Sequence, residues 1–290
     1  MGDSTGHIGT YQEGRQDMEL STSNATLQDI VHPVLSEMAE GPLRGALLGA
    51  FAVETSALAA IEECFQALVA KRQEPEALRR FFHSWSKTNN SAASVSGLAS
   101  RMTLSGRRSA DAATREALYR VCDSLQRITD EDLGARGNVL HADLFYRMAT
   151  TISGDDRWLS KRYCNSAADE FRDWVDRHRL RERDLLKGLL ITLVHEVYTH
   201  GEVEFILPLF QRWAREELGL AGDDARKVLA WISVHTGGTE SAHFGHATEA
   251  VAHYCEAAGT NINGGAAGAL FETYLERKAA VMMQLTPLLQ

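Results

Sequence analysis

Four side chains able to bind a metal ion fall within twelve residues of this chain. The segment 234–247, VHTGGTESAHFGHA, carries His235, Glu240, His243 and His246. Imidazole and carboxylate groups this close together, in an apolar helical pattern, indicate one wall of a metal site. A cluster of purely structural histidines is the alternative interpretation of the same pattern.

The spacing within this segment calls for a local irregularity. Glu240 and His243 are three residues apart, so they share one face of a helix. His235 lies five residues before Glu240, about 140° away around an ideal helix, and would point elsewhere. Gly237 and Gly238 weaken a regular helix and permit a π-bulge, which absorbs one extra residue. We therefore expect a π-bulge that brings His235 to the common face.

A second set of candidates lies in LLITLVHEVYTHGEVEFILPLF, a largely apolar predicted helix. Glu196, His200 and Glu204 follow one another at intervals of four residues, and carboxylates in an apolar helix need a cation or a hydrogen-bond partner. We select Glu204 as the ligand because Pro208 disrupts the backbone ladder one turn later. Glu196 and Glu202 are interpreted as solvated groups or as supports behind the ligands.

The third set lies in the segment 130–141, DEDLGARGNVLH. The run Asp130, Glu131 and Asp132 is typical of a solvated charge run at a helix end, which is the alternative to a functional role. The glycine-containing break at 134–137 forms a flexible corner, which allows an acid to converge with His141. We select Glu131 and His141 as ligands.

The proposed ligand set contains three carboxylates and three imidazoles: Glu131, His141, Glu204, His235, Glu240 and His243. Mixed carboxylate and imidazole ligands on helices suit iron or manganese, and bridging carboxylates hold two such ions close together. The set contains no thiolate, which argues against structural zinc. His200 and His246 are candidates for supporting the ligands from behind.

The elements that must position these residues are predicted to be helices. The chain has only five prolines and is rich in Ala, Leu, Glu and Arg, which favours an all-α fold. After a flexible N-terminal segment, residues 1–25, we expect one multi-helix domain over 26–290. The expected helices are 27–39, 42–71, 75–87, 90–103, 109–128, 138–152, 159–178, 182–218, 222–256 and 263–286.

Composition limits the function classes. The formal charge is −9 with scattered basic residues, so we expect neither a nucleic acid nor a membrane surface as a partner. The sequence has no signal-peptide pattern and no apolar run of about 18 residues. The four cysteines are widely separated, as is typical of free thiols in a reducing compartment. These features together predict a cytoplasmic protein.

Three motifs resemble those of the haem-oxygenase-like dimetal oxidases. DEDLGARGNVLHADLF resembles the acid–glycine–His segment of that family, EFILP its second-helix Glu followed by Pro, and HTGGTESAHFGHATEAV its third-helix His-x3-Asp-x2-His segment. HPVLSEMAEGPLRGALL resembles the opening helix of the wider haem-oxygenase-like fold. The resemblance covers most of residues 30–256. The chain departs from the family by one extra residue between His235 and Glu240, and by Glu where Asp is usual.

The resemblance implies a haem-oxygenase-like helical bundle that binds two Fe(II) ions and uses O2 and an external reductant. It implies oxidation of an unactivated C–H bond of a small substrate in natural-product biosynthesis, such as antibiotic biosynthesis. The expected substrate is an aliphatic amino acid such as isoleucine, with desaturation or azetidine ring formation as the outcome. A homodimer is compatible with it.

Two other functions remain open on the sequence. One is a metal-independent oxidase or hydrolase of the same fold, which would not need all six ligands. The other is a non-enzymatic helical binding protein, in which the histidines are structural. The iron content of the purified protein distinguishes the dimetal oxidase from both alternatives.

Overall fold

The computed structural model describes residues 25–134 and 139–290, and every regular element among them is a helix. The predicted flexible segment 1–25 lies, except for Ala25, outside these residues. The α-helices are α1 Leu27–Glu37, α2 Pro42–Val53, α3 Thr55–Val69, α4 Pro75–Asn89, α5 Ala92–Arg108, α6 Ala112–Asp132, α7 His141–Ser153, α8 Ser166–Asp176, α9 Leu185–Glu216, α10 Gly222–Val228, α11 Ala230–His235, α12 Gly238–Ala258 and α13 Gly264–Leu289. Two 3-10 turns, Asp156–Leu159 and Lys161–Tyr163, follow α7, and a π-helical turn, Arg177–Arg181, follows α8.

Helix α9 is the central element of the bundle. Every side chain from residue 188 to residue 203 is buried, which is the pattern of a helix surrounded on all sides. It is packed by α1, α12, α13 and the π-helical turn. The acids and histidines of this stretch therefore lie inside the protein, where each needs a partner.

The helices that carry the other candidate residues pack around α9. Helix α12 contacts both α6 and α9, and α5 packs along α6. Helix α7 contacts α4, α6 and α11. The C-terminal end of α6, the N-terminal end of α7, the middle of α9 and the junction of α11 with α12 consequently meet in one region.

Three helices predicted as continuous are divided in the structure. The predicted helix 159–178 contains the 3-10 turn Lys161–Tyr163 and becomes α8 only at Ser166. The predicted helix 42–71 is broken at Glu54, which ends α2 and begins α3. The predicted helix 222–256 is three helices, α10 to α12, and its second break lies at Gly237, whose φ of 72° and ψ of −125° only glycine adopts readily. The predicted π-bulge at Gly237–Gly238 is therefore wrong: the chain leaves the helix there and starts a new one.

Taken singly, none of the described helices has both the length and the apolarity that a membrane span requires. Helices α2 and α3 together reach the length and composition, but they are bent by 63° relative to each other.

Candidate metal centre

The candidate centre is formed by two clusters of three side chains whose ligand atoms lie within 4.8 Å of one another. The first cluster is Asp132, His141 and His235; the second cluster is Glu196, Glu240 and His243. The six side chains come from the end of α6, the start of α7, the middle of α9, the end of α11 and the first turns of α12. Together they are three carboxylates and three imidazoles.

The first cluster is held by short contacts. Asp132 Oδ1 lies 3.1 Å from His141 Nδ1, and His235 Nε2 lies 3.0 Å from the same His141 nitrogen. The other ring nitrogen of His235, Nδ1, donates to the carbonyl oxygen of Trp231 at 2.6 Å. This bond fixes the tautomer and leaves the lone pair of Nε2 directed into the cluster, as metal-binding histidines require.

The second cluster is more deeply buried. Nδ1 of His243 lies 3.7 Å from a carboxylate oxygen of Glu196 and 3.7 Å from one of Glu240. On the far side of the ring, Nε2 of His243 donates to Glu131 at 3.1 Å. Glu131 therefore orients the imidazole from behind, which is the usual arrangement around a ligating histidine.

Glu240 connects the two clusters. Its Oε1 lies 4.0 Å from His235 Nε2, and its Oε2 lies 3.7 Å from His243 Nδ1. Each oxygen of this one carboxylate thus faces a different cluster. Carboxylates placed in this way bridge pairs of metal ions in helical bundles.

Two buried carboxylate oxygens in the second cluster test whether these residues fit a metal. Glu196 and Glu240 are 3% and 1% exposed, and Oε1 of Glu196 and Oε2 of Glu240 have no hydrogen-bond partner among the described residues. An unpartnered buried carboxylate oxygen is costly. Both oxygens lie in a cluster with the donor chemistry of an iron or manganese site, so the residues fit a pair of such ions.

The electrostatics of the two clusters agree with this fit. Burial disfavours charge on His243, but Glu240 and Glu196 outweigh it and raise the pKa of His243 to about 10. Burial, reinforced by Glu240, raises the pKa of Glu196 to about 8. Burial also acts to raise the pKa of Asp132, yet hydrogen bonds with His141 and His235 outweigh it and hold that pKa well below its usual range. Protons on the imidazoles or bound cations must balance these carboxylates.

The structure brings together four of the six ligands selected from the sequence: His141, His235, Glu240 and His243. It places Glu131 behind His243, with a side chain that is 45% exposed. It places Glu204 away from both clusters, where its carboxylate accepts a 2.6 Å hydrogen bond from the backbone N–H of Gly237. Glu204 thus supports the break between α11 and α12.

The two outer histidines selected from the sequence lie at the edge of this arrangement. His200 is 8% exposed, one turn after Glu196 on α9, and its Nδ1 has no hydrogen-bond partner among the described residues. His246 is on the more exposed side of α12, where Nδ1 is 3.4 Å from Glu249. Neither belongs to the two clusters.

Asp132 and Glu196 are the two cluster members that the sequence reasoning did not select. Asp132 is the neighbour of Glu131, and a step of one residue turns a side chain by about 100° around the helix. Glu196 shares an approximate face with Glu204, but eight residues separate them by about 12 Å along the helix axis. Only one of them reaches the cluster, and the sequence does not distinguish them, because apolar residues surround both.

Glu202 is also not solvated, contrary to the interpretation from the sequence. It is fully buried, and its carboxylate lies 3.0 Å from Lys278 Nζ. Nε1 of Trp85 donates to it at 2.9 Å and the hydroxyl of Tyr198 at 2.5 Å. It belongs to a buried ion pair with Lys278 rather than to the candidate centre.

A pocket of about 370 Å³ adjoins the first cluster. Asp132, His141 and His235 form part of its wall. Its aromatic lining residues are Phe145, Tyr146, Trp158 and Trp231, and its uncharged polar lining residues are Ser86, Asn89, Asn90 and Ser91. The size and mixed lining are typical of a small-molecule site.

Comparison with known proteins supports the fold alone. No protein-family model matches the chain, and no curated protein matches it. Among solved structures, it is similar to a TenA homolog from Pseudomonas syringae pv. tomato, with a TM-score of 0.54 and 13% sequence identity over 81% of this chain and 91% of that chain. This likeness shows the fold alone, and it confirms the predicted all-α, multi-helix fold.

Proposed function

We propose that this chain is a non-haem dimetal oxidase that binds two iron ions and uses O2 to oxidise a small aliphatic amino acid. The observation that carries the proposal is the pair of adjoining clusters, each with three ligand atoms within 4.8 Å. Iron with O2 and an external reductant would supply the power to break an unactivated C–H bond. Removal of two hydrogens from the substrate supplies two of the four electrons that reduce O2 to water, and the reductant supplies the rest.

In this proposal the chain's own residues hold, orient and enclose the reacting groups. Asp132, His141 and His235 would hold one ion, and Glu196, Glu240 and His243 the other. The carbonyl of Trp231 and the carboxylate of Glu131 fix the rings of His235 and His243 from behind. The aromatic wall of the pocket keeps the substrate's apolar part away from water.

The metal-independent alternatives are less well supported by this arrangement. They leave the buried oxygens of Glu196 and Glu240 unexplained. A thiol nucleophile also has little support, because no cysteine is among the described residues that line the pocket. Burial, helped by Asp169, raises the pKa of Cys164 to about 12, so its reactive thiolate is scarce.

Metal content tests the proposal directly. Because six ligands form two clusters of three, we expect full-length protein loaded with Fe(II) without O2 to retain two iron equivalents after desalting, as counted by elemental analysis. Protein denatured and treated in the same way is the control for adventitious binding. Retention near zero in folded protein would contradict the dimetal assignment and favour a metal-independent enzyme or a binding protein.

The substrate class is tested separately, by product analysis. We expect iron-loaded protein, given O2 and a reductant, to convert isoleucine or valine into a product two or four hydrogens lighter by mass spectrometry. A desaturated product and an azetidine have the same mass, so NMR distinguishes them. If an aliphatic amine, a fatty acid or an aromatic amino acid is consumed while isoleucine and valine are untouched, the amino-acid proposal fails and the dimetal proposal remains.

A further inference from the structure

The N-terminal end of α5 opens into the pocket. Asn90, Ser91 and Ala92, which lead into and begin this 17-residue helix, all line it. The first N–H groups of a helix have no intrahelical acceptor, and they carry the positive end of the helix dipole. The first turn of α5 contains no acidic residue that would neutralise this end. Such a helix end favours an anionic group.

Ser91 gives a second and independent indication of a ligand. It is the residue that caps α5, and the hydroxyl of a capping serine normally accepts a bond from the first turn. Here the side chain makes no capping hydrogen bond to any described residue, although Ser91 is only 7% exposed and lines the pocket. A buried hydroxyl and the adjoining amides are therefore available to the same bound group.

The charges of the pocket show why this helix end matters. The described lining residues include the carboxylates of Asp132 and Asp143 but neither a lysine nor an arginine. A carboxylate entering the pocket thus finds no lysine or arginine, and the two lining histidines, His141 and His235, belong to the first cluster. The end of α5 is the anion-binding group that remains besides that cluster. Asp143 lies outside both clusters and is suited to an ammonium group.

We propose that the N-terminal end of α5, with the Ser91 hydroxyl, binds the carboxylate of the substrate. The ammonium group then faces the pocket-lining carboxylate Asp143, and the aliphatic side chain extends toward the first cluster. This inference rests on the proposed function, since it gives that site its means of recognising a free amino acid. It explains how an amino acid is held in a pocket whose described lining has no lysine or arginine.

Binding without turnover tests the inference. Trp158 and Trp231 line the pocket, so ligand binding is followed by their fluorescence in full-length protein without O2, both metal-free and loaded with Mn(II). The ligands are L-isoleucine and 2-methylbutylamine, which has the same skeleton without the carboxylate. We expect the amine to bind at least about tenfold more weakly in both forms of the protein, the loss typical of one good charge-assisted contact.

The variant Ser91→Asp places a carboxylate where the substrate's carboxylate is proposed to bind. We expect isoleucine affinity to fall at least about tenfold, while a cooperative thermal transition shows that the variant is folded. Ser100→Asp, the same change at an exposed position on the same helix, should bind isoleucine like the wild type.

Three results would overturn the inference: isoleucine binding by Ser91→Asp at wild-type affinity, no binding of either ligand to the wild type, or a preference for isoleucine that appears only with Mn(II). The last result would assign the carboxylate to the metal. If the preference holds in protein that retains no metal under any condition, the α5 subsite stands and the proposed oxidase function fails.

Discussion

Glu196→Gln is expected to prevent binding of at least one of the two proposed metal ions and to slow the proposed oxidation by more than about 100-fold, beyond the range typical of outer-sphere changes. The substitution keeps the size of the side chain but replaces one oxygen able to bind a metal with an amide nitrogen, in a residue that is 3% exposed and 3.7 Å from His243. Metal content after Fe(II) loading and single-turnover product formation measure the two effects.

The chain offers matched controls for this experiment. Glu204→Gln is the same change on the same helix, and its amide oxygen still accepts from Gly237, so we expect two ions to be retained. Asp132→Asn and Glu131→Gln form a second pair on adjacent residues, of which the first should lose metal and the second should reduce affinity by about 10- to 100-fold at most. Loss of metal in Glu204→Gln, with retention in Glu196→Gln, would reverse the assignment of α9.

Glu202→Ala is expected to lower the free energy of unfolding by about 3–5 kcal/mol, because removing one partner leaves a buried charge uncompensated. That charge is Lys278, which is fully buried and 3.0 Å from Glu202. The change also removes the acceptor of Trp85 and Tyr198. Urea unfolding monitored by circular dichroism gives the difference.

A control and a rescue accompany this variant. Asp123→Ala breaks the exposed pair with Arg127, whose side chains are more than half exposed, and should cost less than about 1 kcal/mol. The double variant Glu202→Leu, Lys278→Met removes both charges and should recover much of the loss, since apolar pairs often replace buried ion pairs. Wild-type stability of Glu202→Ala would show that the pair contributes little.

The sequence was sufficient for the all-α class and for most helix positions, because apolar spacing and turn residues mark them strongly. It did not reveal the break at Glu54, where neither glycine nor proline interrupts the pattern. That break depends on how α2 and α3 pack against α13, which is a tertiary effect. The break at Gly237 was signalled by two glycines, but spacing alone did not distinguish a π-bulge from a new helix.

For the candidate centre, the sequence indicated the types of donor group better than the individual residues that supply them. The structure brings three of the predicted imidazoles and Glu240 into one region. The chain has 11 histidines against 39 acids, so fewer histidines than acids compete for each position. The carboxylate members of the clusters were harder to predict, because acidic residues are common and are usually solvated. To choose between Glu131 and Asp132, one must know how α6 is rotated about its own axis. To choose between Glu196 and Glu204, one must know where α9 lies along its axis. Both quantities come from packing.

Helix α9 has a mechanical consequence for the precision of the centre. The same rigid helix carries Glu196 in the second cluster and, two turns later, Glu204, which anchors the Gly237 N–H between α11 and α12. If α9 shifts along its axis by a fraction of an ångström, the anchor shifts with the ligand. His235 and Glu240, which lie on either side of the Gly237 break, then move in the same direction as α9. Because both sides of the candidate centre move together, the distances from Glu196 to His235 and Glu240 change less than the position of α9 itself.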